Sequence, residues 1–254
     1  CASSGLAIIQ ATELLRSGAA DVVITGGTES SLTRLGIAAF CRMGAMATKY
    51  NDDPQRAIRP FDANRSGLVM SEGAGILILE SEQSVARRGA TPHAEILGYG
   101  STSDACHLVR PEPSGQGAAQ AIRYALSAAG VDESEIASRT YINAHGTGTK
   151  ANDVAETLAL KEAFGTATPQ LRVSSTKSML GHLIGAAGAV ESVACVRTLQ
   201  TGTIPPTINL DTPDPECDLN LVTGSAQQAD IHFAINNTFG FGGHNVSLIL
   251  GRSS

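Results

Sequence analysis

The 254 residues carry 42% hydrophobic and 17% charged side chains, which fits a globular chain with a real core and argues against disorder. A formal net charge of −6 argues against a general nucleic-acid binder, and no apolar run reaches the length of a bilayer-spanning helix. The five cysteines, Cys1, Cys41, Cys106, Cys195 and Cys217, form no CxxC pair, which speaks against a disulfide framework or a zinc site and for a reducing cytoplasm.

In chain order, residues 2–17 read as an apolar helix stopped by Gly18. "DVVITGG" follows as a buried strand, then a turn-rich excursion, "RLGIAAFCRMGAMATKYNDDPQRAIRPFDANRSG". "GAGILILES" is the next strand. A helix is expected near 115–129, a strand at "TYINAH" and a helix near 152–164. "LRVSST" is a strand, and a helix over about 183–201 is stopped by Gly202. "HFAINNTFG" and "VSLILG" close the chain as strands. Strands alternating with helices predict an α/β architecture with sheets covered on both faces. The first and last long helices, "CASSGLAIIQATELLRSG" and "GHLIGAAGAVESVACVRTLQTG", resemble one another, a hint of two related halves.

Four stretches hold residues able to do chemistry. Cys1 lies at the mouth of the first helix, where backbone N–H groups and the helix dipole favour a thiolate. A cysteine there is either a nucleophile or a small buried hydrophobe. "NAHGTGT" sets His145 after a strand, with Thr147 and Thr149 behind it. "SSTKSMLGH" sets Lys177 and His182 across a strand-to-helix turn. "NNTFGFGGHN" brings Phe239 and Phe241 among Gly240, Gly242 and Gly243, a turn able to aim a backbone N–H at a substrate oxygen or simply a hairpin corner. Arg59, Asp62 and Arg65 read as a structural ion-pair turn. His93 and His232 read as surface or packing residues, and Cys41, Cys106, Cys195 and Cys217 as core thiols.

Taken together, "CASSG", "NAHGTGT", "SSTKSMLGHLIGAAGAVE" and "NNTFGFGG" closely resemble the β-ketoacyl-acyl-carrier-protein synthases, nearest the elongating class II type. "RPFDANRSGLVMSEGAGILILE" and "PPTINLDTPDPECDLNLV" share the likeness, which covers the whole chain. Cys1 falls on the family's nucleophile, so the sequence is expected to correspond to the C-terminal three-fifths of a synthase. The resemblance implies a thiolase-like αβαβα sandwich of two pseudo-repeated halves, with residues 1–91 the remainder of the first and 92–254 the second. It implies Cys1 as acyl acceptor, with the backbone N–H groups of Cys1 and Phe241 holding the oxyanion. His145 and His182 would donate from Nε2 to the enolate oxygen. Lys177 would orient His145, working through Glu191. Thr147 and Thr149 would bind the pantetheine arm, and the Phe241 ring would gate entry.

No cofactor or metal is implied. The expected partners are an acyl- or malonyl-acyl carrier protein and a second copy in a homodimer, without nucleic acid or membrane insertion. His244 and Val109 stand where many members carry hydroxyl residues. The rival readings are an N-terminal-cysteine amidohydrolase, a thiolase using coenzyme A, and a non-catalytic partner subunit. A last expectation concerns cover: the first helix, apolar nearly all round (Leu6, Ile8, Ile9, Leu14, Leu15), belongs between two sheets, so these residues alone should neither fold well nor work.

Overall fold

The computed structural model describes residues 1–253. The helices are α1 (Ser3–Arg16), α2 (Arg34–Arg42), α3 (Glu82–Arg87), α4 (Gln116–Ala129), α5 (Glu133–Ile136), α6 (Lys150–Phe164), α7 (Lys177–Leu180) and α8 (Ala187–Thr201). The strands are β1 (Val22–Glu29), β2 (Gly73–Glu80), β3 (Glu95–Ser103), β4 (Thr140–Asn143), β5 (Arg172–Ser174), β6 (Thr203–Ile204), β7 (Gln227–Gln228), β8 (Phe233–Gly240) and β9 (His244–Gly251). All six strands expected from the sequence form. β3 is a seventh long element that the sequence pattern does not reveal, and α2 is a helix inside the stretch read as irregular.

A five-stranded sheet runs β3-β9-β8-β4-β5, with β4 parallel to β5 and β8 and the outer β3-β9-β8 pairings antiparallel. Period-two alternation sorts its side chains between two cores. Tyr141, Ala234, Val246, Leu248 and Leu250 point to one face with Ile8 and Leu199, whereas Ile142, Ile235 and Ile249 point to the other with Ile122, Leu160 and Phe164. The first face is covered by α1 and α8, the second by α4, with α6 packed on α4. Beyond α1 and α8 lies the antiparallel β1-β2 ribbon, so these two helices form a layer between two sheets.

β3 escapes a sequence reading because Gly98 and Gly100 break its pattern. A Cβ at Gly100 would stand 1.9 Å from the Ala121 carbonyl oxygen and one at Gly98 2.4 Å from that of Ala125. The glycines therefore let α4 lie directly on the strand.

Two expectations about burial change. α1 buries Ser4, Gly5, Ile8, Ala11 and Thr12, whereas Leu6 and Leu14 are exposed. Small residues face α8 because the two helices approach closely there: a Cβ on Gly188 would lie 3.0 Å from the Gly5 nitrogen. Cys195 and Cys217 are core thiols, but Cys41 and Cys106 are exposed: Cys41 lies on α2, which buries none of its residues, and Cys106 in the loop after β3. The outer face of the β1-β2 ribbon is bare and apolar, with Ile24 at 73% and Ile78 at 69% exposure. Among the described residues no helix is long and apolar enough to cross a membrane.

Candidate active site

Three loops converge. Cys1 precedes α1, whose first turn closes with the Leu6 N–H donating to the Ala2 carbonyl at 2.9 Å. His145 follows β4, in the chain reversal before α6, where Gly146 takes φ +35° and packs on Ser175. His182 follows α7 and is locked on both sides: its N–H donates to the Val69 carbonyl at 2.7 Å, and its carbonyl accepts from Ser71 at 2.9 Å. One ligating atom each from Cys1, His145 and His182 lies within 4.8 Å of the others. The imidazoles meet edge to face, centroids 5.3 Å apart, and His145 also rests on the Phe239 ring at 5.8 Å.

Both histidines are buried. Burial first, then the Lys177 charge, holds each imidazole well below its ordinary range, so both are neutral at pH 7. The tautomers follow from their partners. Lys177, paired with the Glu191 carboxylate, donates from Nζ to His145 Nδ1 at 3.3 Å. The Ile184 N–H donates to His182 Nδ1 at 3.1 Å. A neutral imidazole that accepts at Nδ1 carries its hydrogen on Nε2. His182 Nε2 is buried without a hydrogen-bond partner in the protein, a donor held for something else.

Lys177 reaches His145 directly, whereas the sequence reading routed it through Glu191. The carboxylate pairs with the same ammonium, and burial raises its own pKa against the pull of Lys177. Thr147 and Thr149 share a hydroxyl–hydroxyl bond of 2.9 Å, and Thr149 also caps α6 by accepting from the Asn152 N–H at 3.4 Å. That cap starts the helix at Lys150, two residues earlier than the sequence pattern suggests.

Cys1, His145, Thr147, Thr149, His182 and Phe241 all line one cavity of 510 Å³. Phe241 is half-buried, its ring tilted against Phe40 of α2 at 6.0 Å. A Cβ added at Gly240 would sit 3.2 Å from the Cys1 nitrogen, so the backbone leading into Phe241 runs beside the start of α1. Val109 lines the cavity, whereas His244 is exposed and outside its lining. His93 bonds Gln200 and His232 bonds Asp230, both away from the site. Arg59 pairs with Asp62 and Arg65 with Asp153 and Asp214, so the ion-pair turn is structural.

Sequence reasoning misses Glu156. Its carboxylate accepts from the His145 N–H at 2.7 Å and the Gly146 N–H at 2.8 Å, fixing the histidine loop from α6. The available signal was two acids, Asp153 and Glu156, inside the buried stripe of Ala155, Ala159 and Leu160. Burial pushes Glu156 from 4.5 up to about 7, with the two N–H donors pulling the other way. Because the folded value lies above that of the unfolded chain, the stability linked to this group is whole below pH 4.5 and is lost as pH rises to about 7. Glu156→Gln turns an amide NH₂ toward a backbone donor and should cost roughly 1–3 kcal/mol. Denaturant midpoints across pH 4–8 should show that loss together with a flatter pH dependence.

Comparison with known proteins agrees with this geometry. The model for "Beta-ketoacyl synthase, N-terminal domain" matches residues 1–84, and that for "Beta-ketoacyl synthase, C-terminal domain" matches residues 93–211. A 3-oxoacyl-[acyl-carrier-protein] synthase 2 of Synechocystis is 48% identical over 248 residues, covering 98% of this chain and 59% of that protein. The enzyme of the same name from Staphylococcus aureus is 46% identical over 249 residues, covering 98% and 60%. Among solved structures, a type II polyketide ketosynthase in complex with its acyl-carrier protein superimposes with a TM-score of 0.96 at 36% identity, over 100% of this chain and 62% of that one. The chain thus spans about three-fifths of the length of the relatives it matches. It shares their thiolase-like fold, and it belongs to the β-ketoacyl synthase family.

Proposed function

We propose that the protein carries the decarboxylative Claisen condensation of an acyl thioester with a malonyl-acyl carrier protein. The Cys1 thiolate attacks the acyl thioester carbonyl; the carrier thiolate leaves, and an acyl-Cys1 thioester remains. Backbone N–H groups of Cys1 and Phe241 stabilise the tetrahedral oxyanion on the way. Malonyl carrier then enters along Thr147 and Thr149. Its carboxylate departs as carbon dioxide, and the bonding pair moves onto the thioester as an enolate. His145 and His182 donate from Nε2 to that oxygen. The enolate carbon attacks acyl-Cys1, the Cys1 sulfur leaves, and the product is a β-ketoacyl carrier two carbons longer.

The observation that carries this reading is the unpartnered His182 Nε2 beside His145 and Cys1, two neutral donors facing one thiol. An anionic oxygen is the group such a pair recognises. An N-terminal amidohydrolase needs the α-amino group of Cys1 as base and gives His145, Lys177 and His182 nothing to do. The same reading includes a homodimer, a cytoplasmic location, and a division into halves at residues 1–91 and 92–254. Incubation with acyl- and malonyl-carrier proteins tests it: a β-ketoacyl carrier extended by two carbons is expected. Turnover of acyl-coenzyme A with acetyl-coenzyme A instead would replace it with a thiolase.

Phe241 supplies a check on the order of events. With alanine there, the space before Cys1 opens toward Phe40, and malonyl carrier should be decarboxylated before any primer is loaded. Carbon dioxide release without primer should rise in Phe241→Ala while elongation falls. A parent-like profile for both would leave the ring a packing role only.

A further inference from the structure

We infer that Glu29, at the end of β1, is a positioning residue for His182: it pins a strained turn whose backbone sets the imidazole's tautomer. The inference rests on the condensing role proposed above and extends it to a residue outside the cavity. The strain is at Ile184, a β-branched residue at φ +43°. That region penalises any side chain with a Cβ and penalises β-branched ones most, so such a residue persists only where its surroundings hold it. Two contacts do so. The Ala186 N–H donates to the Leu183 carbonyl at 2.9 Å, closing the turn on itself. The Gly185 N–H donates to Glu29 Oε2 at 3.0 Å, tying the turn to the ribbon. Glu29 is itself steadied where its Oε1 accepts from the Ser30 N–H at 3.2 Å.

What the strain secures is the Ile184 N–H. Rotation about φ swings the Leu183–Ile184 peptide plane, and with it the N–H that donates to His182 Nδ1 at 3.1 Å. Relaxation of Ile184 to negative φ, with Gly185 no longer held, carries that donor away. The imidazole is then free to move its hydrogen to Nδ1, which leaves Nε2 an acceptor facing the cavity. A carboxylate suits the place for a second reason. Residues 184–186 lead straight into α8, and negative charge at a helix N-terminus is favourable. Glu29 lies in the segment matched by the N-terminal family model and His182 in that matched by the C-terminal one. One half of the molecule thus sets the proton position in the other.

Two variants separate the acceptor from the bulk. Glu29→Met keeps chain length and removes the acceptor oxygens; Glu29→Gln keeps one. In protein labelled with ¹⁵N-histidine, the parent should show His182 as the Nε2–H tautomer, with Nδ1 unprotonated and hydrogen-bonded. Glu29→Met should give a mixture of tautomers and lose malonyl decarboxylation by roughly 10- to 100-fold, while acyl transfer to Cys1 stays near the parent rate. Glu29→Gln should return most of both signals. Ile184→Gly placed in the Glu29→Met background should also restore the tautomer in part, because glycine occupies that φ without strain. A His182 spectrum identical in Glu29→Met and the parent overturns the inference. His182→Ala serves as the control for the reaction itself. If that variant decarboxylates at the parent rate, the condensing role fails, while the spectra still decide whether Glu29 governs His182.

Discussion

Cys1→Ala will abolish both β-ketoacyl product and acylation of the protein by acyl carrier, with the fold intact. The thiol is half-buried at the head of α1 and faces the two imidazoles, and it lines the cavity that a pantetheine arm would enter. The remaining cysteines offer no substitute. Cys195 is fully buried with its pKa pushed above the ordinary range, Cys217 is buried with its pKa pushed up to about 11, and Cys41 and Cys106 lie outside the cavity lining. Covalent capture divides the condensation into two steps, and without it the enolate has no held electrophile. Malonyl decarboxylation should survive, since it needs the histidines and not the sulfur. Mass spectrometry of protein exposed to acyl carrier reads acylation directly. Condensation at the parent rate in Cys1→Ala would remove the assignment altogether.

His145→Ala and His182→Ala will each slow malonyl decarboxylation by roughly 10²–10³-fold, the cost of one lost oxyanion donor. Acyl transfer to Cys1 should suffer less, because the proposed mechanism gives its oxyanion to backbone N–H groups. The two variants should differ in a useful way. His145 accepts from Lys177 at Nδ1, so its removal leaves a buried ammonium with Glu191 as its remaining named partner. His182 takes a backbone donor from Ile184, whose loss strands a neutral N–H. The first variant should therefore also lose stability, and the second should remain closer to the parent in a thermal melt. Single-turnover release of carbon dioxide, measured beside acylation of Cys1, separates the steps. If acylation collapses while decarboxylation holds, the roles assigned to cysteine and histidines are reversed.

The parts of this site that a sequence displays are the ones lying at the ends of periodic elements. His145 follows a buried strand, Lys177 and His182 sit between a strand and a helix, and Phe241 sits among glycines after β8. Each loop is legible because the period of the flanking residues is. β3 is not legible, since a strand that must admit α4 at Gly98 and Gly100 gives up the alternation by which strands are recognised. α2 buries none of its residues, so its stretch looks like coil, although its Phe40 meets Phe241. Glu156 and Glu29 are hidden for another reason. Both act on backbone N–H groups, which every residue but proline has, so almost nothing in the partner's identity marks the pairing. Sequence separation hides Glu29 further: Gly185 is 156 residues away.

The strand order β3-β9-β8-β4-β5 puts the last two strands of the chain at the centre of the sheet. A ribosome delivers β3, β4 and β5 first, and β3 cannot join β4 directly because two places between them are still empty. Until residues 233–251 emerge, Tyr141 and Ile142 have no neighbouring strand on one side, and α4 has β3 beneath it but not yet β9. Assembly of the sheet must therefore wait for the β8-β9 hairpin, which zips locally and then captures β3 and β4 on its two edges. An arrested nascent chain that stops short of Phe233 should accordingly remain sensitive to protease between β3 and β5. The loops that carry Cys1, His145 and His182 would be ordered together, once β8 and β9 have emerged, and not one after another.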